Sequence, residues 1–259
     1  MKKIAIISDI HANYEALTVV LDDIKQKNVD AIYCLGDVIG YGPSPIECLQ
    51  KTVEICSFIL LGNHEEAVLA GAFGFNPSAK QAIDWTRSKV KPKFYHLNFT
   101  KRKRYWEGLM QLPLCYTEER NLFVHASPLD PTMDYILKSD TEDVFGEIPE
   151  KITQIFEQID NLCFVGHTHM PGIITEKSEW YSPEEFDLIW EYGSNDKLIC
   201  NVGSVGQPRD KNRDSCYVIL EEKRICYHRV PYDYEKTQEK IYKIPQLDNR
   251  NARRLGRGS

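Results

Sequence analysis

The sequence of 259 residues has no long apolar run. A membrane-spanning helix needs about 20 consecutive apolar residues, and no stretch of the chain approaches that length. The apolar run at residues 4–7 stops at Ser8 and Asp9, whereas the core of a secretory signal has about 7 to 15 apolar residues. The sequence therefore predicts a soluble cytoplasmic protein with no membrane partner.

Closely spaced cysteine pairs are also missing. None of the eight cysteines is separated from the next by only two residues, the spacing typical of structural zinc sites. Cys34, Cys163, Cys200 and Cys216 lie inside apolar runs. We therefore expect buried free thiols in a reducing compartment rather than disulfides or zinc ligands.

Positive charge is in the minority, since 32 Lys and Arg residues face 38 Asp and Glu residues and the formal net charge is −6. This balance argues against nucleic acid as a general partner. Two basic groups, at residues 101–104 and 250–257, are the exception. We expect a solvated helix face and a loose tail there, with nucleic-acid contact as the alternative.

Apolar runs alternate with helical patterns in the first third of the chain, which favours an α/β fold with a parallel sheet. Strands are predicted at residues 4–7, 31–35, 58–61, 122–124 and 162–165. The short segments 198–201, 216–220 and 225–230 predict a second, more antiparallel sheet.

We expect one domain over residues 1–245 and a basic tail over residues 246–259. Residues 67–112 are mainly helical and rich in aromatic residues. An excursion of that length between strands is typical of a lid or a pocket wall. Its aromatic side chains could line a base-sized pocket, although packing within the excursion is the favoured interpretation.

Polar side chains follow the predicted strands at the point where each strand ends. They are Asp9 and His11, then Asp37, then Asn63 and His64, then His125, and finally His167 and His169. Because the carboxyl ends of parallel strands meet at one edge of a sheet, these side chains should converge. Their oxygen and imidazole donors suit Mn, Fe, Zn, Ni or Co rather than an iron–sulfur cluster.

The number of candidate donors points to two metal ions. Without His64 there are seven, which is too many for one tetrahedral ion. Two ions about 3.5–4 Å apart would use all of them. Asp37 is the natural bridge because a carboxylate has two oxygens, and a hydroxide bridging the other side would be the nucleophile.

These residues resemble the motifs of the calcineurin-like metallophosphoesterases. The matching segments are residues 9–11 (DIH), 36–37 (GD), 62–65 (GNHE), His125 and 166–169 (GHTH), in the order of the family. Residues 201–209 are similar to the small prokaryotic branch, which includes phosphodiesterases and relatives of diadenosine tetraphosphatase. The resemblance implies a four-layer α/β/β/α sandwich with two mixed β-sheets and a helical excursion near the active site.

The resemblance also implies roles for the site residues. One metal would be held by Asp9, His11, Asp37 and His169. The second would be held by Asp37, Asn63, His125 and His167, with manganese favoured for both. His64 would not be a ligand but would stabilise the transition state or protonate the leaving oxygen.

The chain departs from the phosphoprotein phosphatases at three positions. Those enzymes carry an Asp and an Arg where this chain has Gly40 and Tyr41, and an Arg where it has Leu61. The missing Asp would support the catalytic His, and the missing arginines would grip phosphate. The difference argues against a protein phosphatase and leaves the orientation of His64 without a sequence explanation.

Three residues are candidates for substrate contact, each with a structural alternative. Asn13 could bind an anion at a helix start or cap that helix. Tyr41 could stack on a base or bond to a phosphate, or could fill a surface turn. Arg209 could grip a distal phosphate or form a structural salt bridge. His96 and His228 have no motif around them.

The sequence therefore predicts a dinuclear metal-dependent phosphoesterase. Its substrates would be phosphodiesters or phosphoanhydrides of small, nucleotide-like molecules. A phosphomonoesterase is the nearest alternative, followed by a nuclease and by a catalytically silent binding protein. The sequence does not indicate an oligomeric state.

Overall fold

The structure is a computed structural model that describes residues 2–95, 99–142 and 146–259. His96 and two further residues of the predicted excursion lie outside the described residues. The strands are, in chain order, β1 (Ile4–Ile7), β2 (Ala31–Cys34), β3 (Phe58–Ile59), β4 (Cys115–Glu118), β5 (Asn121–Val124), β6 (Leu162–Val165), β7 (Gly172–Thr175), β8 (Trp180–Tyr181), β9 (Ile189–Glu191), β10 (Leu198–Asn201), β11 (Ser215–Glu221) and β12 (Arg224–Val230). The α-helices are α1 (Tyr14–Gln26), α2 (Pro45–Ile55), α3 (Asn63–Ala70), α4 (Pro77–Val90), α5 (Phe99–Leu109), α6 (Glu150–Glu157), α7 (Tyr234–Tyr242) and α8 (Asn249–Leu255).

The strands form two six-stranded mixed sheets. Their orders are β3-β2-β1-β11-β12-β9 and β4-β5-β6-β10-β7-β8. In the first sheet β1, β2 and β3 run parallel, and in the second β5, β6 and β10 run parallel. Each sheet therefore presents a group of strand carboxyl ends along one edge, where ligands bind in open α/β sheets.

Side chains that alternate between the two faces of each strand pack the sheets and helices into four layers. In β1, Ile6 belongs to the core that contains Phe164 of the other sheet, whereas Ile7 belongs to the core that contains Leu17 of α1. On the far side, Ile155 of α6 lies in a third core with residues of the second sheet. Successive strand side chains point to opposite faces, so each sheet packs on the other and on helices. The predicted α/β/β/α sandwich with two mixed sheets is confirmed.

The expectation that the strands predicted after residue 198 form a separate sheet is wrong. Only β10 joins the second sheet, between β6 and β7, whereas β11 and β12 extend the first sheet beyond β1. All four residues of β1 are buried, and its edge therefore needs a hydrogen-bonding partner, which the antiparallel β11 provides. The pattern of apolar residues predicts strands but carries no information about which edge they join.

The expectation of a loose carboxyl-terminal tail is also wrong. Residues 249–255 form α8, whose first turn is capped by Asp248. Ala252 and Leu255 are buried in a cluster with Trp85 of α4 and Ile241 of α7. These two apolar residues are three positions apart and so share one helix face, a signal that the surrounding arginines obscured.

The excursion is helical, as predicted, and contains α3, α4 and α5. Trp85 is largely buried, whereas Phe73 and Phe94 are 80% and 87% exposed. The excursion therefore mixes packed and exposed aromatic side chains. Its segment between α3 and α4, including Phe75, reaches the cavity at the strand ends.

The eight cysteines are free, and Cys34, Cys163, Cys200 and Cys216 are buried as expected. Among the described residues, no helix combines the length and the apolar character that crossing a membrane requires.

Candidate metal centre

The predicted donors meet in a cavity of about 180 Å³ at the carboxyl ends of the parallel strands. Its lining includes His11, Asp37, Asn63, His167 and His169. The donors come from turns after β1, β2, β3, β5 and β6. The convergence inferred from the strand order is therefore present in the structure.

The first group of donors is formed by Asp9, His11 and His169, all fully or almost fully buried. The His169 Nε2 atom lies 3.2 Å from Asp9 Oδ1 and 3.0 Å from His11 Nε2. The distance from His11 Nε2 to Asp9 Oδ1 is 3.8 Å. Three donor atoms thus surround one small volume.

The second group is formed by Asp37, His125 and His167, with Asn63 beside it. The His125 Nε2 atom lies 3.2 Å from Asn63 Oδ1. The His125 and His167 rings are 5.0 Å apart between centroids. The His167 Nε2 atom is buried and has no hydrogen-bond partner among the described residues.

One carboxylate oxygen faces both groups. Asp37 Oδ2 is 3.7 Å from His11 Nε2 and 3.6 Å from His125 Nε2. The other oxygen, Oδ1, accepts a hydrogen bond of 2.9 Å from the backbone N–H of His64. The Oδ1 atom of Asp37 is therefore held by a hydrogen bond, while Oδ2 lies between the two donor groups.

The imidazole orientations are set by backbone carbonyls. The Nδ1 atoms of His11, His125 and His169 face the carbonyl oxygens of Ile39, Leu35 and Gln207 at 3.3, 3.0 and 2.5 Å. A carbonyl oxygen only accepts, so each Nδ1 must donate, and a neutral ring then directs the Nε2 lone pair at the centre.

These residues fit bound divalent cations. Two Nε2 lone pairs that face each other, as in His11 and His169, repel unless a cation or proton lies between them. Asp9 Oδ1 and His167 Nε2 are buried without a hydrogen-bond partner among the described residues. Metal coordination would satisfy both orphaned atoms, and this oxygen and imidazole set suits a borderline divalent ion.

Burial shifts the protonation equilibria of the site. It lowers the pKa of His11, with the positive charge of His64 as the next cause, and it lowers the pKa of His167 to about 3. Burial, followed by the negative charges of Glu65 and Asp9, raises the pKa of Asp37. The shared cause is the exclusion of water from several ionisable groups, for which a cation would compensate.

The turns that present these donors use unusual backbone conformations. Five donor residues have positive φ angles, namely Asp9 (53°), His11 (48°), Asp37 (51°), His167 (61°) and His169 (62°). This left-handed region costs roughly 1–2 kcal/mol for a residue with a Cβ. Such conformations cluster at functional sites, where the surrounding structure holds them in place.

Glu65 holds the turn after β2, a role that sequence reasoning did not assign. Its carboxylate accepts hydrogen bonds from the backbone N–H groups of Asp37 (2.7 Å), Ile39 (3.0 Å) and Gly62 (3.2 Å). The side chain is completely buried, and burial raises its pKa to about 7. Its position in the GNHE segment was the only available signal.

Residues 201–209 connect the first and last donor turns. Ser204 Oγ donates to the backbone oxygen of Asp9 at 2.8 Å, and Asn201 Nδ2 donates to that of Gly166 at 2.8 Å. The carbonyl oxygen of Gln207 faces His169 Nδ1. This stretch therefore positions donors rather than supplying them.

His64 is positioned by packing rather than by a carboxylate. Its ring lies 4.4 Å from that of Tyr41 and 5.4 Å from that of Phe75. A Cβ on Gly40 would lie 2.1 Å from His64 Nδ1, so the ring occupies the space that a side chain at position 40 would fill. Burial, followed by the positive charge of Arg209, lowers the pKa of His64.

The three candidate substrate residues differ in location. Tyr41 and Arg209 line the cavity, and the Nε atom of Arg209 is buried without a partner among the described residues. Asn13 is almost fully buried, and its side chain bonds to Ala16, Gly206 and Thr237. These bonds favour the helix-cap alternative for Asn13.

The structure adds a cavity residue that has no sequence motif. The Tyr135 ring stacks on His167 at 3.9 Å between centroids with an interplanar angle of 29°. It belongs to a loop after β5 and reaches the site only through the tertiary fold, so no spacing rule could have predicted it.

Comparisons with known proteins agree with this geometry. The calcineurin-like phosphoesterase family matches residues 2–203. Protein MJ0912 of Methanocaldococcus jannaschii is 36% identical over 249 residues, which are 93% of this chain and 92% of that protein. A metallophosphoesterase structure from Sphaerobacter thermophilus has a TM-score of 0.81 and 32% identity, covering 100% of this chain and 99% of that one.

A shorter similarity involves a named enzyme. The chain is 27% identical over 100 residues to the symmetrical bis(5′-nucleosyl)-tetraphosphatase of Actinobacillus succinogenes, or 32% of this chain and 36% of that protein. The two mixed sheets and the candidate metal-ligand groups agree with a metal-dependent hydrolase. The chain belongs to the calcineurin-like phosphoesterase family and is a metallophosphoesterase, acting on phosphoric ester or anhydride bonds.

Proposed function

We propose that the protein is a dinuclear phosphoesterase for phosphodiester or phosphoanhydride bonds in small, nucleotide-like substrates. The observation that carries the proposal is the position of Asp37 Oδ2, within 3.7 Å of one donor group and 3.6 Å of the other. A carboxylate shared in this way is the arrangement that a two-metal site requires.

Each proposed metal has its own set of residues in this chain. Asp9, His11, Asp37 and His169 would hold one ion, and Asp37, Asn63, His125 and His167 would hold the other, with manganese favoured. When bound, the ions would neutralise phosphoryl oxygens and acidify water near neutral pH.

His64 is proposed to assist departure of the leaving group. Its ring lies beside the cavity, 4.8 Å from that of His11, and a single ring N–H can donate to a phosphoryl or leaving oxygen. Arg209, which also lines the cavity, carries a guanidinium whose planar fork matches phosphate oxygens. Its Nε, which has no hydrogen-bond partner in the described ranges of the chain, is available for such a bond.

The preference for small substrates is supported by the size and charge of the site. The cavity at the candidate metal centre has a volume of about 180 Å³, which is small, and the formal net charge of −6 disfavours long polyanions. The local similarity to a bis(5′-nucleosyl)-tetraphosphatase supports nucleotide-like substrates.

The test is a measurement of metal content together with hydrolysis. We expect about two ions per chain after loading with Mn²⁺, with faster hydrolysis of bis(p-nitrophenyl) phosphate than of p-nitrophenyl phosphate. A metal content of one ion per chain would contradict the dinuclear proposal. Preference for the monoester would favour a phosphomonoesterase instead.

A further inference from the structure

A second cavity lies next to the metal centre and has a volume of about 600 Å³. Its walls are the start of α4 and one face of α8, and it shares Tyr41 and Asn76 with the metal-centre cavity. A volume of roughly 300–1,000 Å³ is typical of a small-molecule site. The two cavities together form one extended site with Tyr41 at the junction.

The wall formed by α8 and by Arg257, two residues beyond its end, is strongly basic. Arg250, Arg253, Arg254 and Arg257 all line the cavity. Arg250 is paired with Asp248, but within the described parts of the chain the other three arginines make no ion pair with a carboxylate. In a chain of net charge −6, three unpaired guanidinium groups at one cavity are a local reversal of charge.

Of Arg253, Arg254 and Arg257, Arg254 is the least exposed. It is half-buried, and its pKa is lowered by burial and then by the positive charge of Arg209. An anion between two guanidinium groups that repel each other would stabilise both of them.

A buried polar group in the same cavity also lacks a partner. Asn251 is 3% exposed and lines the cavity. Its Nδ2 atom makes no hydrogen bond to any part of the chain that the structure describes. Because a buried donor without an acceptor destabilises the fold, this amide points to a ligand with acceptor oxygens.

The opposite wall also favours negative charge. Pro77, Ser78 and Ala79 belong to the first turn of the 14-residue helix α4 and line the cavity. The first turn of a helix carries partial positive charge; here Ala79 N–H already donates to the Asn76 side chain at 3.0 Å and Pro77 has no N–H, so this wall adds only that partial charge. The helix α8 and the residues after it are held in place, since Gln238 Nε2 donates to the Ala252 oxygen at 2.9 Å and Lys211 N donates to the Gly258 oxygen at 2.8 Å.

We infer that this second cavity, here called the arginine pocket (Asn251, Arg253, Arg254 and Arg257 with the start of α4), binds the distal phosphates of a polyphosphate substrate. The inference rests on the proposed function for the chemistry of the neighbouring centre. The scissile phosphate lies at the metal centre, and the phosphate chain continues past Tyr41 to the arginines. The substrate class is therefore a nucleotide-like polyphosphate rather than a simple phosphodiester.

The experiment compares two substrates in the metal-loaded, full-length protein. Arg254→Gln should raise the KM for diadenosine tetraphosphate roughly tenfold or more, because a charged hydrogen bond is lost, with kcat changed less than about twofold. The KM for bis(p-nitrophenyl) phosphate, which has no distal phosphate, should stay within about twofold of wild type. Arg254→Lys should recover part of the loss because it keeps the charge.

Arg224→Gln is the matched control. Arg224 is the first residue of β12 and pairs with Glu221 of β11. It lies near the pairing of Ile4 with Leu220, which is at the end of β1 opposite to Asp9. Arg224→Gln should leave the KM values for both substrates unchanged. If Arg254→Gln does not fold, Arg257→Gln takes its place, since Arg257 is exposed.

Binding of inorganic tripolyphosphate, measured by calorimetry, separates this inference from the proposed function. If wild type hydrolyses neither substrate but tripolyphosphate binding falls roughly tenfold in Arg254→Gln, the proposed function fails and the arginine pocket stands. Equal tripolyphosphate affinity and equal KM values in wild type and Arg254→Gln would overturn the inference. So would a loss confined to single-stranded DNA binding, which would indicate a nucleic-acid surface.

Discussion

The two walls of the extended site are built in opposite ways. The metal-centre wall uses completely buried donors such as Asp9 and His125, each fixed by backbone hydrogen bonds at the end of a strand. The arginine wall lies on a seven-residue helix whose attachment is the apolar contact of Ala252 and Leu255. Coordination depends on donor positions to a fraction of an ångström, whereas charge attraction tolerates looser placement.

This contrast implies different kinetic consequences. Changes in the metal-centre wall should act on metal content and kcat. Changes in the arginine wall should act on the KM of substrates that reach it. Salt should weaken the binding of those substrates to the arginines, because Arg253 and Arg257 are exposed. The predictions below test this division, from the largest effect to the smallest.

The largest effect is expected from Asp37→Asn. The amide cannot supply a charged oxygen to both donor groups, so both ions should bind more weakly. We expect metal content well below that of wild type and a loss in kcat/KM on the order of 10³-fold, equivalent to several kcal/mol. Elemental analysis and bis(p-nitrophenyl) phosphate hydrolysis measure the two quantities. Full metal content with normal turnover would remove the shared-carboxylate argument.

His64→Ala should separate chemistry from metal binding. We expect the metals to remain and kcat for an alkyl phosphodiester to fall roughly 10²-fold or more. The fall should be smaller for a p-nitrophenyl ester, because that leaving group needs little protonation. Equal hydrolysis of the alkyl ester by variant and wild type would refute the acid role.

Gly40→Ala tests whether packing alone positions His64. The added Cβ would lie 2.1 Å from His64 Nδ1 at a residue whose φ is +95°. We expect kcat to fall roughly tenfold or more, with metal content unchanged. Gly146→Ala is the control, since its φ is +84° and a Cβ there would meet none of the described residues within 4 Å. Similar kinetics in the two variants would mean that His64 does not depend on Gly40.

The smallest effect on catalysis is expected from Leu255→Ala in the arginine wall. Removing this buried side chain should lower the free energy of local unfolding of α8 by about 2–3 kcal/mol. Hydrogen exchange at residues 249–255 measures it, while bis(p-nitrophenyl) phosphate turnover should stay within about twofold. Leu114→Ala, at a 49% exposed position, is the control. A collapse of turnover would show that the two walls are not independent.

Much of the metal-centre wall could be predicted from the sequence. Donor residues such as Asp9 and Asp37 directly follow apolar runs, and parallel strands bring such positions to one edge. The clamp made by Glu65 and the stacking of Tyr135 on His167 could not be predicted. They depend on contacts between segments that are 26–28 and 32 positions apart in the chain.

The sequence alone predicted the strands that precede the candidate donors and the donor residues themselves, because strand patterns and the residues that follow them are local features. The motifs at those strand ends carried the family resemblance. Only the tertiary structure decided that β11 pairs with β1, that left-handed turns hold five of the candidate donors, and that α8 places arginines along the cavity next to the candidate metal centre. Those outcomes depend on which buried surfaces meet. Local sequence patterns specify that a surface is apolar but not the surface that will cover it.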